Sequence, residues 1–175
     1  MGLIPFLFSK VFPSKRKSAD GTIYDFKIRD IEGAEIDFQA YKEKKILIVN
    51  TASKCGYTGQ YADLEKLHRE FGDQVSVLVF PSNDFLWQEP GTNEEIVSFC
   101  KNKFDVTFKM FSKISVRGRS QHRLYQWLEA KTGNAPSWNF CKYLVSKDGT
   151  VVQFFNSKVN PLDPKITQEF SPQSN

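Results

Sequence analysis

The sequence predicts an α/β protein in which a mixed sheet is flanked by helices and preceded by an N-terminal β-hairpin. Short, continuously apolar runs alternate with segments whose apolar residues recur at helical spacing. The length of 175 residues suits one domain. Hydrophobic residues make up 40% and charged residues 25% of the chain, as expected of a globular protein.

The first half of the predicted fold contains a hairpin and two strands joined by a helix. Residues 22–29 and 35–38 flank a Glu-Gly turn and predict the hairpin. The apolar runs 46–49 and 75–80 predict strands buried on both faces. Between them, apolar residues at helical spacing over 61–71 predict a helix. This order is typical of a parallel βαβ unit.

The second half adds helices and a further hairpin. A capping-box pattern at 92–95 opens one helix, and residues 122–131 predict another. Strands at 143–146 and 151–155 flank Asp-Gly, a strong hairpin-turn signal. Asn160-Pro161 predicts the start of a last helix. A parallel pair followed by an antiparallel hairpin, with helices covering the sheet, is the thioredoxin-like plan.

Composition excludes several classes of protein. The net charge of +4 is small and scattered, whereas a nucleic-acid binder shows a basic stripe. The chain has two histidines and three cysteines, without CxxC or HExxH, which argues against a metal site. An odd, sparse cysteine set also argues against a disulfide-stapled secreted scaffold.

Residues 1–17 form an apolar and basic leader that we expect to be flexible, ahead of a single domain over 18–175. The apolar part is too short to span a bilayer, so no firm membrane insertion is expected. Its charges follow the apolar stretch, the reverse of a secretory signal. The cytoplasm is the predicted compartment. A weak membrane anchor, and an envelope or organelle location, are the alternatives.

Cys55 is the first candidate for chemistry. It follows a predicted buried strand and precedes a predicted helix, where unpaired N–H groups and the helix dipole favour a thiolate. Lys54 adds positive charge beside it. The competing interpretation is a small buried hydrophobe, the commonest fate of a free cysteine. Position alone leaves both interpretations open.

Four stretches of the chain resemble the glutathione peroxidase family. They are residues 50–58 (NTASKCGYT), 80–91 (FPSNDF running into QEPG), 106–114 (VTFKMFSKI) and 138–144 (WNFCKYL). They stand in the family's order and spacing, and the resemblance covers about residues 18–170. It implies a thioredoxin-like fold and a peroxidase that needs no cofactor beyond a thiol co-substrate, thioredoxin or glutathione.

The resemblance also implies a catalytic tetrad of Cys55, Gln88, Trp138 and Asn139. Cys55 stands at the position of the peroxidatic residue, where a thiolate attacks a peroxide oxygen and becomes a sulfenic acid. The other three side chains are neutral donors that stabilise the thiolate and the developing oxyanion. Taken singly, each of the three also has a structural interpretation: Gln88 as a surface residue, Trp138 as a core aromatic and Asn139 as a turn residue.

Cys100 bears on how the sulfenic acid is reduced. The thioredoxin-dependent branch of the family has a resolving cysteine at the matching helix position, which implies a Cys55–Cys100 disulfide reduced by thioredoxin. The alternatives are a one-cysteine, glutathione-dependent peroxidase in which Cys100 is a core residue, and a peroxide sensor or relay that uses the same cysteines. If Cys100 is held in the helix, its pairing with Cys55 requires the helix to unwind.

Three positions depart from the family's usual residues, and none belongs to the tetrad. They are Ser82, Asp84 and Lys109. A carboxylate at Asp84 disfavours a nearby thiolate, so we expect lower activity or an upward shift of the pH optimum. The connection from Leu128 to Trp138 is short, as in monomeric members that accept bulky lipid hydroperoxides. We therefore expect a monomer.

Overall fold

The structure, a computed structural model, describes residues 18–170, so the predicted leader and residues 171–175 lie outside the described residues. The strands are β1 (Lys27–Arg29), β2 (Glu35–Asp37), β3 (Lys45–Thr51), β4 (Val75–Pro81), β5 (Lys109–Met110), β6 (Lys142–Val145) and β7 (Val152–Phe155). The helices are α1 (Gln60–Phe71), α2 (Asn93–Phe104), α3 (Arg123–Thr132) and α4 (Pro164–Thr167).

Five strands form the central sheet in the order β5-β4-β3-β6-β7, and β1 pairs with β2 in a separate hairpin. The central strand β3 runs parallel to β4 and antiparallel to β6. The prediction of a mixed sheet flanked by helices, with an N-terminal hairpin, is confirmed. Because β3 has neighbours on both sides, the chain segment that follows it emerges from the middle of the sheet.

Both faces of β3 are covered, which explains its continuous apolar sequence. Ile46 and Ile48 point to a core shared with Leu124 of α3. Leu47 and Val49 point to the opposite core, which includes residues of α1, α2 and α4. Each of these four β3 side chains is fully buried, and their alternation follows from the two-residue repeat of a strand.

Two predicted boundaries are wrong. The first hairpin strand is shorter than expected, because Ile23–Asp25 forms a 3-10 turn capped by Thr22. The last helix begins at Pro164 and not after Asn160, with Asp163 as its cap. The Asn160 side chain instead accepts a hydrogen bond from the Leu162 N–H and forms a turn. In both places a side chain that bonds to nearby backbone competes with the predicted element.

Strand β5 was not predicted. It contains two residues and pairs in parallel with β4. Lys109 lies in it, and its Nζ contacts the Asp30 carboxylate at 2.6 Å. This ion pair joins the sheet edge to the hairpin, so the departure at Lys109 has a structural role.

The helix signals for α2 and α3 are confirmed. Thr92 and Glu95 form the capping box of α2, and α3 ends at Gly133, whose φ of 72° favours glycine. Within residues 18–170, no helix has both the length and the apolar character needed to cross a membrane.

Candidate active site

Cys55 lies half-buried in the turn between β3 and α1. Its backbone N–H donates to the Thr58 hydroxyl oxygen at 3.0 Å, and that hydroxyl donates to the Ala52 carbonyl at 2.9 Å. The Tyr57 N–H lies 3.4 Å from the Cys55 Sγ and points a donor at the sulfur. The turn therefore places one backbone hydrogen-bond donor within reach of the sulfur.

Gln88 and Asn139 lie together beside this turn, although 51 positions separate them in the sequence. The Asn139 Nδ2 donates to the Gln88 Oε1 at 2.8 Å. The Lys54 N–H donates to the Gln88 backbone carbonyl at 3.0 Å, which ties Gln88 to the residue before Cys55. Because the amide oxygen of Gln88 is engaged by Asn139, its Nε2 donors are available to a reacting group.

Trp138 is held by its backbone at the end of β3. The Asn50 Nδ2 donates to the Trp138 carbonyl at 2.9 Å, and the Phe140 N–H donates to the Asn50 carbonyl. Phe140 adopts a φ of 62°, which turns the chain sharply before β6. The Trp138 ring is half-buried and packs on Phe85, with the ring centres 5.5 Å apart. The catalytic roles of Gln88, Trp138 and Asn139 remain predictions.

Removing the Asn139 amide tests its role. We expect Asn139→Ala to slow oxidation of Cys55 by hydrogen peroxide about 100-fold, the usual loss for one donor at a developing anion. Without the 2.8 Å bond, Gln88 loses its fixed orientation. Stopped-flow peroxide consumption measures the rate. Asn134→Ala, in the exposed part of the same connection, is the matched control and should react like wild type. Equal rates for both variants would contradict the role.

Cys100 lies on α2 and is fully buried. Burial raises the pKa of its thiol to about 12, with the nearby Glu89 acting in the same direction and a hydrogen bond to Tyr61 opposing them. The Tyr61 hydroxyl also donates to the Thr51 hydroxyl at 2.7 Å, at the end of β3. Cys55 and Cys100 are both free thiols. The folded helix therefore holds Cys100 protonated at neutral pH.

A cavity of about 460 Å³ is lined by residues of both the Cys55 turn and α2. Ser53 and Lys54 belong to the turn, and Ile96 and Phe99 belong to α2. Glu89 also lines it and is almost fully buried. Burial raises the pKa of Glu89, against the opposing effects of Ser53, Lys113 and Lys54. The cavity leaves space between α2 residues and the Cys55 turn.

The Asp84 carboxylate accepts hydrogen bonds from the loop before α3. Its Oδ2 accepts hydrogen bonds from the Val116 N–H at 2.6 Å, the Arg117 N–H at 3.2 Å and the Ser115 hydroxyl at 3.0 Å. These bonds fix the loop before α3. The expected effect of Asp84 on the pH optimum remains a prediction, and an Asp84→Gln pH–rate profile tests it. Ser82 is buried, and its N–H donates to the Thr51 carbonyl at 3.0 Å.

Lys142 belongs to a buried hydrogen-bond network that reaches Asn139, which the sequence did not predict. It is fully buried on β6, and its Nζ donates to the Gln60 Oε1 at 2.6 Å and to the Val159 carbonyl at 2.5 Å. Gln60 in turn donates to the Ser157 carbonyl, and the Ser157 hydroxyl donates to the Asn139 carbonyl at 2.6 Å. A lysine inside an apolar strand was the available signal. Cys141, just before it, is also buried.

The burial of Lys142 predicts a pH-dependent effect on stability. Burial lowers the pKa of Lys142 from 10.5 to about 8. Between these values the unfolded chain binds more protons, so Lys142 makes the free energy of unfolding rise with pH. We expect Lys142→Met to remove about 2 kcal/mol of this rise between pH 8 and 10. Denaturant unfolding at each pH measures it, with exposed Lys158→Met as the control. Other titrating groups, Cys100 among them, cancel in the difference. Parallel profiles for wild type and Lys142→Met would refute the effect.

The fold and the site together define a thioredoxin-like oxidoreductase in which Cys55 is half-buried, whereas Cys100 and Cys141 are buried. In residues 18–170 no cluster of three or more His, Cys, Asp or Glu is placed to hold a metal ion. A thioredoxin family protein of Chlorobium tepidum, at 11% identity and a TM-score of 0.56, shows the same fold. Residues 23–129 match the family model for glutathione peroxidase. The chain belongs to the glutathione peroxidase family, and it is a peroxidase.

Individual relatives agree with this assignment. A glutathione peroxidase of Lactococcus lactis is 43% identical over 143 residues, which cover 79% of this chain and 91% of the relative. A hydroperoxy fatty acid reductase of Synechocystis is 40% identical over 154 residues, covering 82% of this chain and 91% of the relative. The crystal structure of Trgpx in its apo form has a TM-score of 0.68 at 34% identity and covers 86% of this chain and 97% of that one.

Proposed function

We propose that the protein reduces hydrogen peroxide and organic or lipid hydroperoxides through Cys55. The thiolate attacks the terminal peroxide oxygen, the O–O bond breaks, and the leaving oxygen takes a proton to become water or an alcohol. Cys55 becomes a sulfenic acid. The observation that carries this proposal is the turn itself. It directs the Tyr57 N–H at the sulfur and is bonded through Lys54 to the Gln88–Asn139 pair.

In the second step, Cys100 resolves the sulfenic acid. The Cys100 thiol loses its proton and its sulfur attacks the Cys55 sulfur. The S–O bond breaks, the leaving hydroxide takes up a proton to become water, and an intramolecular disulfide forms. A dithiol of the thioredoxin class then reduces this disulfide and is itself oxidised. Because Cys100 is buried and protonated in α2, the step requires α2 to open. The cavity between α2 and the Cys55 turn supports this, since that side of the helix is not fully packed.

The same burial favours a second candidate function. If α2 stays closed, Cys100 is an inert core residue and glutathione reduces the sulfenic acid in a one-cysteine cycle. The pKa of about 12 for the Cys100 thiol is the specific observation in its favour. The two cycles differ in the product of a single oxidation.

One equivalent of hydrogen peroxide distinguishes them. The reduced protein is oxidised, digested without reductant and mapped by mass spectrometry. A Cys55–Cys100 crosslink is the result expected for the two-cysteine cycle. An oxidised Cys55 with a free Cys100 would assign the protein to the one-cysteine cycle. An unmodified Cys55 with peroxide still present would overturn the peroxidase mechanism proposed for this residue.

We further propose that the protein acts as a monomer on bulky peroxides, in the cytoplasm. Only residues 133–141 connect α3 to β6, so little chain stands beside Trp138 and Asn139 to restrict access. The similarity to a hydroperoxy fatty acid reductase supports a lipid substrate. Light scattering after size-exclusion chromatography tests the oligomeric state.

A further inference from the structure

Two large apolar side chains project into solvent directly before Gln88. Leu86 is 67% exposed and Trp87 is 77% exposed, whereas the preceding Phe85 is buried. Among residues 18–170, the only other large hydrophobic side chain of comparable exposure is Val151, at 59%. We call Leu86 and Trp87 the apolar pair.

The backbone holds the apolar pair outward in an unfavourable conformation. Leu86 and Trp87 have φ values of 50° and 52°, in the left-handed region that costs a residue with a side chain about 1–2 kcal/mol. Bonds on both sides fix the turn. The Gln88 N–H donates to the Phe85 carbonyl at 3.2 Å, and the Glu89 N–H donates to the Asn83 Oδ1 at 2.9 Å. A strained turn fixed in this way indicates a function for the groups it presents.

Two exposed basic residues lie next to the residues that adjoin the apolar pair. Lys54 is bonded through its N–H to the Gln88 carbonyl. The Arg117 guanidinium lies 5.1 Å from the centre of the Phe85 ring. The Asp84 carboxylate, in the same loop, is occupied by backbone N–H groups. The nearest exposed acidic side chain along the adjoining cavity is Glu95, on α2.

We propose that the apolar pair, with Lys54 and Arg117, is a peripheral docking surface for an anionic lipid bilayer. Tryptophan is favoured at the boundary between headgroups and acyl chains, and basic side chains bind anionic headgroups. The two side chains protrude, and a protruding pair enters a bilayer more readily than it encloses a separate ligand. Docking places the Gln88 turn, and with it Cys55, against the membrane. The delivery of lipid hydroperoxides to Cys55 rests on the proposed function, whereas the docking itself does not.

Vesicle binding in the absence of peroxide tests the proposal. The full chain is sedimented with phosphatidylcholine vesicles that contain or lack phosphatidylserine. We expect binding to the anionic vesicles, weakened by salt, and a loss of at least about tenfold in Leu86→Ser/Trp87→Ser. Val151→Ser is the matched control. It lies in the β6–β7 turn, and β6 is antiparallel to β3, so this turn lies at the opposite end of the sheet from Cys55. It should bind like wild type.

A second measurement compares wild type with the conservative variant Trp87→Phe. Brominated acyl chains should quench the fluorescence of wild-type Trp87 on binding, and Trp87→Phe should lose this quenching. Absence of wild-type binding, equal binding by the double variant, or equal binding to neutral vesicles would overturn the proposal. A double variant that binds vesicles normally but has a raised KM for thioredoxin would also overturn it and assign the surface to a protein partner. Oxidation of Cys55 by hydrogen peroxide is measured separately, so loss of docking and loss of peroxidase chemistry are distinguished.

Discussion

Replacing Cys55 with serine is expected to lower kcat/KM for hydrogen peroxide by at least about 10⁴-fold, the scale of loss when a catalytic nucleophile is removed. Serine preserves the shape of the turn. Its hydroxyl is not ionised at neutral pH, so the donor offered by the Tyr57 N–H at 3.4 Å has no thiolate to stabilise. Peroxide consumption under single-turnover conditions, with excess protein, measures the effect without involving a reductant.

Cys141→Ser is the matched control for this substitution. Cys141 is also a free cysteine, but it is fully buried, and its sulfur lies 3.5 Å from the Ser157 hydroxyl. We expect this variant to consume peroxide at the wild-type rate. Residual activity of more than a few per cent in Cys55→Ser, or a comparable loss in Cys141→Ser, would show that the nucleophile has been assigned to the wrong residue.

Cys100→Ser is expected to abolish steady-state turnover with thioredoxin, because no disulfide can form, while the first oxidation of Cys55 proceeds at the wild-type rate. The two steps separate since Cys100 lies on the buried face of α2, whereas Gln88 and Asn139 bond to each other beside the Cys55 turn. Turnover is measured as the consumption of NADPH in an assay coupled through thioredoxin reductase and thioredoxin. The rate of the first oxidation of Cys55 is measured by stopped-flow. Retained turnover with thioredoxin would remove Cys100 from the cycle.

If α2 must open before Cys100 reacts, destabilising this helix should speed disulfide formation. Thr92 and Glu95 cap the helix through reciprocal hydrogen bonds of 3.2 Å and 2.8 Å. Losing such a cap costs about 1 kcal/mol, which increases the open fraction of α2 about fivefold. Thr92→Ala should therefore speed disulfide formation about fivefold and leave the preceding oxidation unchanged. A slower or unchanged disulfide step would mean that helix opening does not limit resolution.

The parts of the fold that a sequence can predict are those with a local pattern. The apolar runs of β3 and β4 and the helical repeat of α1 are visible because both faces of the sheet are covered and the periodicity is regular. Strand β5 has two residues and is defined only by its pairing with β4. No local pattern marks so short a strand, and the start of α4 was misplaced because two turn-forming asparagine and aspartate residues lie close together.

The candidate site divides in the same way. The position of Cys55 after a buried strand follows from the sequence, and the quoted motifs singled out Gln88, Trp138 and Asn139. The bond from Asn139 to Gln88 joins two loops that meet only because β6 and β4 lie on either side of β3. Lys142 was missed because a charged residue in a strand is usually placed on a solvent face. Its burial depends on acceptors from α1 and from the chain after β7.

In the proposed two-cysteine cycle, the burial of Cys100 also determines how readily peroxide inactivates the enzyme. A sulfenic acid that is not captured reacts with a second peroxide to give a sulfinic acid, which thiols do not reverse. In the proposed cycle, two reactions compete for the same intermediate: opening of α2, which is independent of peroxide, and further oxidation, which rises in proportion to it. The stability of one helix therefore sets the peroxide concentration above which the enzyme inactivates itself. A more stable α2 would therefore lower the peroxide concentration at which the enzyme is inactivated.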